Sequence, residues 1–194
     1  MPTTEPPTRE RLSGITRTAA QTRIIVAALD LFARNGVSGT SLQMIADALG
    51  VTKAAVYHQF PTKEEIVVAV AASELVRLEV ALDAAEGETS RARALEVLLA
   101  AVVDLAVERR RMLGFLQADP VVVRVLAEHE PFQHLMERQY RLLTGDDASA
   151  EAAVPAAMVS AAIAGAVMHP LVEELDDEEL RTNLLHVARR LFPA

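Results

Sequence analysis

The chain has 194 residues, no cysteine, no tryptophan and eight more acidic than basic side chains. This length allows one domain or two closely packed ones, with a core that needs no cross-link. The absence of cysteine excludes disulfides, thiolate zinc sites and a cysteine nucleophile, and it fits the reducing cytoplasm, where we expect the protein. Aromatic residues make up only 4% and alanine is abundant, so we predict an all-α fold.

The charge is divided unevenly along the chain. Residues 1–62 carry six basic and four acidic side chains, whereas residues 63–194 carry 13 basic and 23 acidic ones. A basic head on an acidic body indicates that one end of the molecule meets a polyanion and the other does not. The overall acidity therefore does not exclude a nucleic-acid partner.

Two segments raise the questions of targeting and of membrane insertion. The Pro/Thr-rich start has no apolar segment and is not a signal peptide, so we predict a disordered tail over residues 1–17. The uncharged run 152–172 is long enough to cross a bilayer, but Pro155 and Pro170 interrupt it and much of it is alanine. We predict instead a helix buried on nearly all sides by protein, with no membrane partner.

Three helices are predicted in the first third of the chain. Apolar residues at helical spacing indicate a first helix over residues 17–34, with Gly36 as its stop signal. Thr40 opens a second helix with a capping box, and Gly50 ends that helix. A third, short helix runs from Thr52 to about Phe60.

The rest of the chain continues in the same pattern. A stretch of β-branched residues, Val121–Val125, could form a strand, but a single strand would have no partner, so we prefer a helix there. The predicted helices after the third span residues 63–85, 90–108, 110–118, 120–129, 131–143, 147–168 and 176–192.

Residues 40–63 carry the most informative pattern. Ala46 is small enough to let two helices cross closely, Gly50 permits a left-handed turn, and Val56 faces back into the seam. This is the spacing of a helix-turn-helix, whose second helix enters the major groove of DNA. The same spacing also occurs in helix hairpins that only pack, so a purely structural role stays open.

The outward face of the third helix has the chemistry for DNA. Lys53 can meet a phosphate or a guanine edge, the Ala54 methyl can touch a thymine methyl, and Tyr57 and His58 can donate to phosphates. A lysine at position 63 opposes the dipole of its helix unless an anion binds there. The predicted DNA-binding residues are Ser41, Thr52, Lys53, Ala54, Tyr57, His58 and Lys63.

With these residues the sequence resembles the tetracycline-repressor (TetR) family of bacterial transcription regulators. The resemblance runs from Arg23 to about Val70, roughly a quarter of the chain. It implies about nine helices, a DNA-binding head over residues 18–62, a ligand-binding and dimerisation domain over residues 63–194, and a homodimer whose repression a small molecule relieves. The matching residues are Ile24, Ala27, Ala28, Leu31, Phe32, Gly36, Thr40, Ile45, Ala46, Gly50, Val51, Lys53, Tyr57, Phe60, Lys63, Glu64 and Glu65.

A ligand pocket of this family would lie among the helices from about 90 to 168. Methionine and aromatic side chains suit adaptable apolar cavities, although the same residues could simply fill the core. The candidate ligand-binding residues are Met112, Phe115, Leu116, Phe132, Met136, Tyr140 and Met158. Gln117, His134 and Tyr140 could anchor polar groups. A metal held by His129 and His134 is disfavoured, because their spacing places them on different faces.

The last two helices are predicted to form the dimer interface. Ala157, Ala161 and Gly165 share one face, where small side chains let helices approach closely. This stripe, and the apolar stripe of Leu180, Leu184, Val187 and Leu191 on the last helix, could instead face only the subunit's own core. A symmetric dimer spaces its recognition helices by about 34 Å or a multiple of the helical turn, which predicts a palindromic operator. The candidate interface residues are Ala157, Ala161, Gly165, Met168, Leu180, Leu184, Val187 and Leu191.

No enzyme signature is present in the sequence. There is no Gly-rich phosphate loop, no nucleophile elbow and no metalloprotease pair, so we predict no catalytic residue, no cofactor and no metal. The alternative is a helical enzyme or binding module whose helix-turn-helix is only structural. An activator, or a co-regulator without a ligand, also remains open.

Overall fold

The computed structural model describes residues 11–110, 119–145 and 149–192. Within these ranges the protein consists of nine α-helices and no strand, and the predicted all-α fold is confirmed. The helix predicted over residues 110–118 lies almost wholly outside the described residues. The helices are α1 (Ala19–Gly39), α2 (Leu42–Leu49), α3 (Lys53–Gln59), α4 (Lys63–Glu86), α5 (Arg91–Glu108), α6 (Pro120–Ala127), α7 (Glu130–Thr144), α8 (Ala150–Ala166) and α9 (Asp177–Leu191).

The first core, which we call the head core, joins α1, α2 and α3 to parts of two later helices. Phe32, Ile45 and Val56 are buried between the first three helices. Ile66 of α4 and Val122 of α6 belong to the same cluster. The domain boundary predicted after residue 62 therefore cuts through a continuous core, because α4 and α6 each supply an apolar face to the head.

The second core, the body core, lies among α4, α5, α7, α8 and α9. Leu82, Leu98, Leu135, Ile163 and Leu180 are almost fully buried in it. Since α4 contributes to both cores, it is the longest continuous connection between the head and the body.

Local caps set the helix boundaries in the head. Gly36 has φ of 71°, a left-handed value at which α1 breaks, as predicted. The Thr40 hydroxyl donates to the Gly36 carbonyl at 2.8 Å, while the Ser41 side chain accepts from the Met44 N–H. The predicted start of α2 at Thr40 is thus wrong by one residue, since Thr40 closes α1 and Ser41 caps α2.

A short segment before α1 is anchored on the body. Leu12 is 3% exposed and belongs to the body core, and the N–H groups of Leu12 and Ser13 donate to the Glu79 carboxylate at 3.1 and 2.8 Å. Arg11 pairs with Asp83. The tail predicted over residues 1–17 therefore includes an ordered segment, which a single buried leucine and a carboxylate on α4 hold in place.

The uncharged helix α8 buries one face only. Ala156, Val159 and Ile163 are buried, whereas Val154 and Met158 are 55% and 58% exposed. The expectation of burial on nearly all sides is wrong within one subunit. No helix in the described ranges combines the length and the hydropathy that crossing a bilayer requires.

Candidate nucleic-acid interface

The third helix is held to the head by its buried side. Val56 is fully buried and Phe60, at the end of α3, is 6% exposed. The Thr52 side chain accepts from the Ala55 N–H at 3.2 Å and starts the helix. With Val56 fixed inward, the helical repeat turns the opposite face toward solvent.

Lys53, Ala54, Tyr57 and His58 are all exposed on that face, so their predicted orientation is confirmed. The Lys53 ammonium lies 5.5 Å from the centre of the Tyr57 ring, a distance at which a cation is attracted to the ring face. No carboxylate lies within ion-pair distance of Lys53 among the described side chains. This exposed face of α3, which we call the recognition face, therefore carries a positive charge that no described carboxylate neutralises.

The turn between α2 and α3 has the predicted construction. Ala46 is fully buried, and Gly50 adopts a left-handed conformation with φ of 65°. The Val51 N–H donates to the Ala46 carbonyl at 3.0 Å, which closes the end of α2. A glycine is favoured at this point because other residues rarely adopt such a φ.

Two predicted DNA contacts, Ser41 and Thr52, are helix caps in the structure. Each side-chain oxygen accepts from a backbone N–H of its own helix, Met44 for Ser41 and Ala55 for Thr52. Both residues are exposed, and a helix N-terminus attracts anions. Their contact with DNA stays a prediction that is compatible with capping.

Lys63 has a different partner from the predicted phosphate. Its ammonium is part-buried and donates to the carbonyls of Val37 and Thr40 at 2.9 and 3.2 Å. Carbonyls at a helix C-terminus carry the negative end of its dipole, so they satisfy the lysine within the protein. Lys63 therefore positions the turn between α1 and α2, and we propose that this role replaces the predicted contact with a phosphate.

A capping box at the start of α1 was missed from the sequence. The Thr18 side chain accepts from the Gln21 N–H, and the Gln21 side chain accepts from the Thr18 N–H. The Thr18 hydroxyl also donates to Gln59 at 3.3 Å, which ties the start of α1 to the end of α3. The signal was present, because a threonine followed three residues later by a glutamine marks a helix start.

The body contains an apolar cavity of about 200 Å³ between α4, α5, α6, α7 and α8. Its polar groups are Gln139 and Ser160, whose side chains lie 3.4 Å apart. The lining residues are Leu75, Leu78, Val102, Leu105, Ala106, Leu126, Phe132, Met136, Gln139, Ser160, Ile163 and Ala164.

The predicted ligand residues divide into three groups. Phe132 and Met136 line the cavity. Tyr140 and Met158 are 43% and 58% exposed and do not line it, so both assignments are corrected: these side chains lie on outer faces of α7 and α8. Met112, Phe115 and Leu116 lie outside the described residues, as does Gln117.

The predicted dimer residues also differ among themselves. Ala157, Ala161 and Gly165 are exposed along α8, Met168 is exposed just after it, and Val187 and Leu191 are exposed on α9. Leu184 is half-buried. Leu180 is 1% exposed in the body core, so its assignment to the interface is corrected.

Among the described residues no group of three acidic or histidine side chains could hold a metal ion.

Known proteins resemble this chain most strongly at the head. The model of the family "Bacterial regulatory proteins, tetR family" matches residues 24–70. The transcriptional regulator SrpR of Pseudomonas putida is 49% identical over 57 residues, which are 29% of this chain and 27% of SrpR. The matched segment thus spans about a quarter of that curated relative.

Solved structures resemble the chain over nearly its whole length. A tetR-family regulator from Rhodococcus RHA1 has a TM-score of 0.71 at 19% identity, covering 90% of this chain and 97% of that one. NalD, the secondary repressor of a multidrug efflux pump in Pseudomonas aeruginosa, has a TM-score of 0.66 at 23% identity, covering 88% and 94%. Likeness at this identity shows a common fold. Residues 24–70 therefore match the helix-turn-helix segment of the TetR family of bacterial regulatory proteins, and the rest of the chain shares the fold of solved regulators of this family.

Proposed function

We propose that the protein is a homodimeric repressor that binds a palindromic duplex through α3 and is released by a small, largely apolar ligand. The observation that carries the proposal is the exposed face of Lys53, Ala54, Tyr57 and His58 on a helix whose other face is fixed in the head core. The match of residues 24–70 to a family of transcription regulators argues against the enzyme considered from the sequence. The description of NalD as a repressor favours repression over activation.

The geometry of the head suits the major groove. The helix-turn-helix leaves the N-terminus of α3 free to enter the groove first, with Lys53 and Ala54 in its first turn. A lysine there can reach a guanine edge or a phosphate, and the Ala54 methyl is small enough for close approach to a thymine methyl. Tyr57 and His58, one turn on, are placed for phosphate oxygens.

A second copy of the chain would cover the exposed apolar residues of α8 and α9. Val154 and Met158 on α8, Met168 just after α8, and Val187 and Leu191 on α9 are between 38% and 58% exposed. No atom lies within 4 Å of where a Cβ on Gly165 would be, so another helix could approach closely there. Burial of apolar area contributes about 25 cal/mol per Å², which gives this face a reason to dimerise.

The cavity of the body supports a small ligand. Its walls are aliphatic, aromatic and methionine side chains, with Gln139 and Ser160 as one hydrogen-bonding point. The ligand that fits the described lining is an apolar molecule with a hydroxyl or carbonyl group, which Gln139 and Ser160 can bind, since further polar groups would find no partner among the described residues.

Selection of bound duplexes from a random library tests the DNA proposal. We expect a palindromic site whose two halves lie about one helical turn apart. Ala54→Trp should remove the retarded complex while circular dichroism stays unchanged, because the side chain is exposed. The absence of any preferred duplex, or full binding by the Ala54→Trp protein, would overturn the proposal.

Thermal unfolding with 1-naphthol tests the ligand proposal. We expect the midpoint to rise with probe concentration, because a ligand that binds only the folded state stabilises it. Ala106→Leu fills part of the cavity and should abolish the rise. A rise of the same size in both proteins would place the probe outside the cavity.

A further inference from the structure

We propose that Asp119 is a positioning residue that connects the wall of the apolar cavity to the turn before the helix-turn-helix. The inference rests on the proposed DNA binding and ligand release, and it names the contact through which the two are coupled. It differs from a route through α4 alone, because Asp119 lies at the start of α6.

Asp119 uses its two carboxylate oxygens on two parts of the protein. One oxygen accepts from the Val121 N–H at 3.0 Å and caps α6. The other accepts from the Val37 N–H at 3.0 Å, across 82 residues of chain. A hydrogen bond to a charged oxygen is stronger than a neutral one, so the cap of α6 also holds the head.

The turn that receives this contact sets the position of α2. Residues 36–40 lie between the break in α1 at Gly36 and the Ser41 cap of α2. Asp119 takes the N–H of Val37, while Lys63 donates to the carbonyls of Val37 and Thr40. A carboxylate from α6 and an ammonium from α4 therefore hold one short turn from outside the first three helices.

The C-terminal end of α6 reaches the cavity. Leu126 of α6 and Phe132 of α7 line the cavity and also pack in or against the head core. Val122, between Asp119 and Leu126, is fully buried in the head core. Displacement of α6 by a molecule in the cavity therefore moves the group that caps it, because the helix is only eight residues long.

These contacts define two states of the clasp, by which we mean the Asp119 contact with Val37. With the cavity empty the clasp is closed, and the turn holds α2 and α3 in the arrangement that binds DNA. Filling the cavity shifts α6 away from α1 and opens the clasp. Of the two contacts that hold the turn from outside the first three helices, only that of Lys63 then remains. Packed cores respond to such a change in steps, because they are close-packed.

Two serine substitutions separate the clasp from the helix cap. Asp119→Ser keeps a good N-cap for α6 but shortens the side chain, so that it no longer reaches Val37. Asp176→Ser is the matched control, since Asp176 caps α9 by accepting only from Glu178 and Glu179 of its own helix. The control should leave DNA affinity within about twofold of the wild type.

The decisive measurement is a double-mutant cycle on the affinity for a duplex selected by the wild type. Ala106→Leu stands in for the ligand, because Ala106 lines the cavity and is 3% exposed. We expect Ala106→Leu to lower the affinity at least about fivefold, and by less than about twofold when Asp119 is already serine. An equal factor in both backgrounds, or no effect of Ala106→Leu on DNA binding, would overturn the inference.

Amide exchange at Val37, followed by NMR, tests the clasp without DNA. The Val37 N–H should be protected in the wild type and in Asp176→Ser, and should exchange faster in Asp119→Ser and in Ala106→Leu. If the wild type binds no duplex, the proposed function fails while this measurement still decides the clasp. Equal protection in the wild type and Ala106→Leu would show that the cavity does not reach the turn.

Discussion

Six arginines of the body and Lys53 of the head differ in what they contact. The six arginines form ion pairs with carboxylates, as Arg34 of the head also does, whereas among the described residues Lys53 on the recognition face meets only the ring of Tyr57. The pairs in the body are Arg77–Glu108, Arg109–Glu74, Arg110–Asp177, Arg138–Asp83 and Arg138–Glu86, Arg181–Asp104 and Arg189–Glu96. The difference explains how a chain of net charge −8 can present a surface for a polyanion: the position of an uncompensated cation matters more than the total.

Arg138 shows how firmly the body engages its charges. Its side chain is 9% exposed, and its guanidinium contacts Glu86 and Asp83 at 2.8 and 2.6 Å. The hydrogen bonds that Arg138 donates to Glu86 and to Asp83 raise the pKa of Arg138 in spite of its burial. Such a cation is not available to DNA.

The largest predicted effect comes from reversing the free charge of the head. Lys53→Glu should lower the affinity for the selected duplex by about 100-fold or more, because each half-site loses a contact and gains repulsion from phosphates. Arg93→Glu, an exposed residue of α5 in the body, changes the net charge equally and should have little effect. Equal losses, measured by fluorescence anisotropy, would show that total charge decides binding.

The next largest effect concerns the exposed apolar face of α8, where we propose the contact between two subunits. Gly165→Leu should shift the monomer–dimer equilibrium by about 10- to 100-fold, since overpacking a tight contact costs about 1–3 kcal/mol. Ala92→Leu, at an exposed position on α5, is the control. Sedimentation of both proteins at equal concentration would decide, and a Gly165→Leu protein that stays dimeric would place the interface elsewhere.

Substitution of Lys63 compares a lysine that is bound by carbonyls of the protein with the exposed Lys53. Lys63→Ala should reduce the free energy of unfolding by about 1.5–3 kcal/mol, the contribution of hydrogen bonds from a charged donor. The slope of log affinity against log salt should stay unchanged, whereas Lys53→Ala should flatten it by about 1.8 if Lys53 meets a phosphate in each of the two half-sites. The same flattening in both variants would make Lys63 a phosphate contact after all.

The smallest effect is the pH dependence of the anchor before α1. Burial favours the neutral carboxyl groups of Glu79 and Asp83, but hydrogen bonds from Ser13 and Leu12 to Glu79, and from Arg11 and Arg138 to Asp83, outweigh it and lower both pKa values. A lowered pKa in the folded state contributes stability above the unfolded pKa, and that stability is lost as the pH falls through the folded pKa.

Urea denaturation from about pH 7 to about pH 3 measures this effect against Glu79→Gln. The wild type should lose more free energy of unfolding on acidification than the variant does. An equal loss of free energy of unfolding on acidification in the two proteins would mean that Glu79 keeps its ordinary pKa in the folded state.

The head could be predicted in detail because its signals are local. Ala46, Gly50 and Val56 lie within eleven positions of one another, and the turn that they form depends on backbone conformation and on one packed seam. The partners of Lys63 lie 23 and 26 positions away, and that of Asp119 lies 82 away. Such long-range contacts leave no periodic pattern in the sequence. A lysine that donates to the carbonyls of a turn therefore cannot be distinguished by sequence from one that binds a phosphate.

The body was harder to predict because α8 is apolar on every face. Ala157, Met158 and Val159 are neighbours of similar hydropathy, yet only Val159 is buried in the subunit. The pattern therefore predicted a helix correctly but could not choose which side meets its own core. The Met158 assignment failed for this reason, and the Leu180 assignment failed because a regular stripe on α9 is shared between the body core and the surface.

The central claim is that the uncompensated face of α3 binds DNA, and a salt titration of the wild type on its selected duplex tests it most directly. We predict a discrete complex whose log affinity falls linearly with log salt, by about 0.9 for each phosphate neutralised. The slope should flatten in Lys53→Ala and stay the same in Arg93→Ala. Affinity that does not depend on salt, or that responds equally to both substitutions, would contradict the claim.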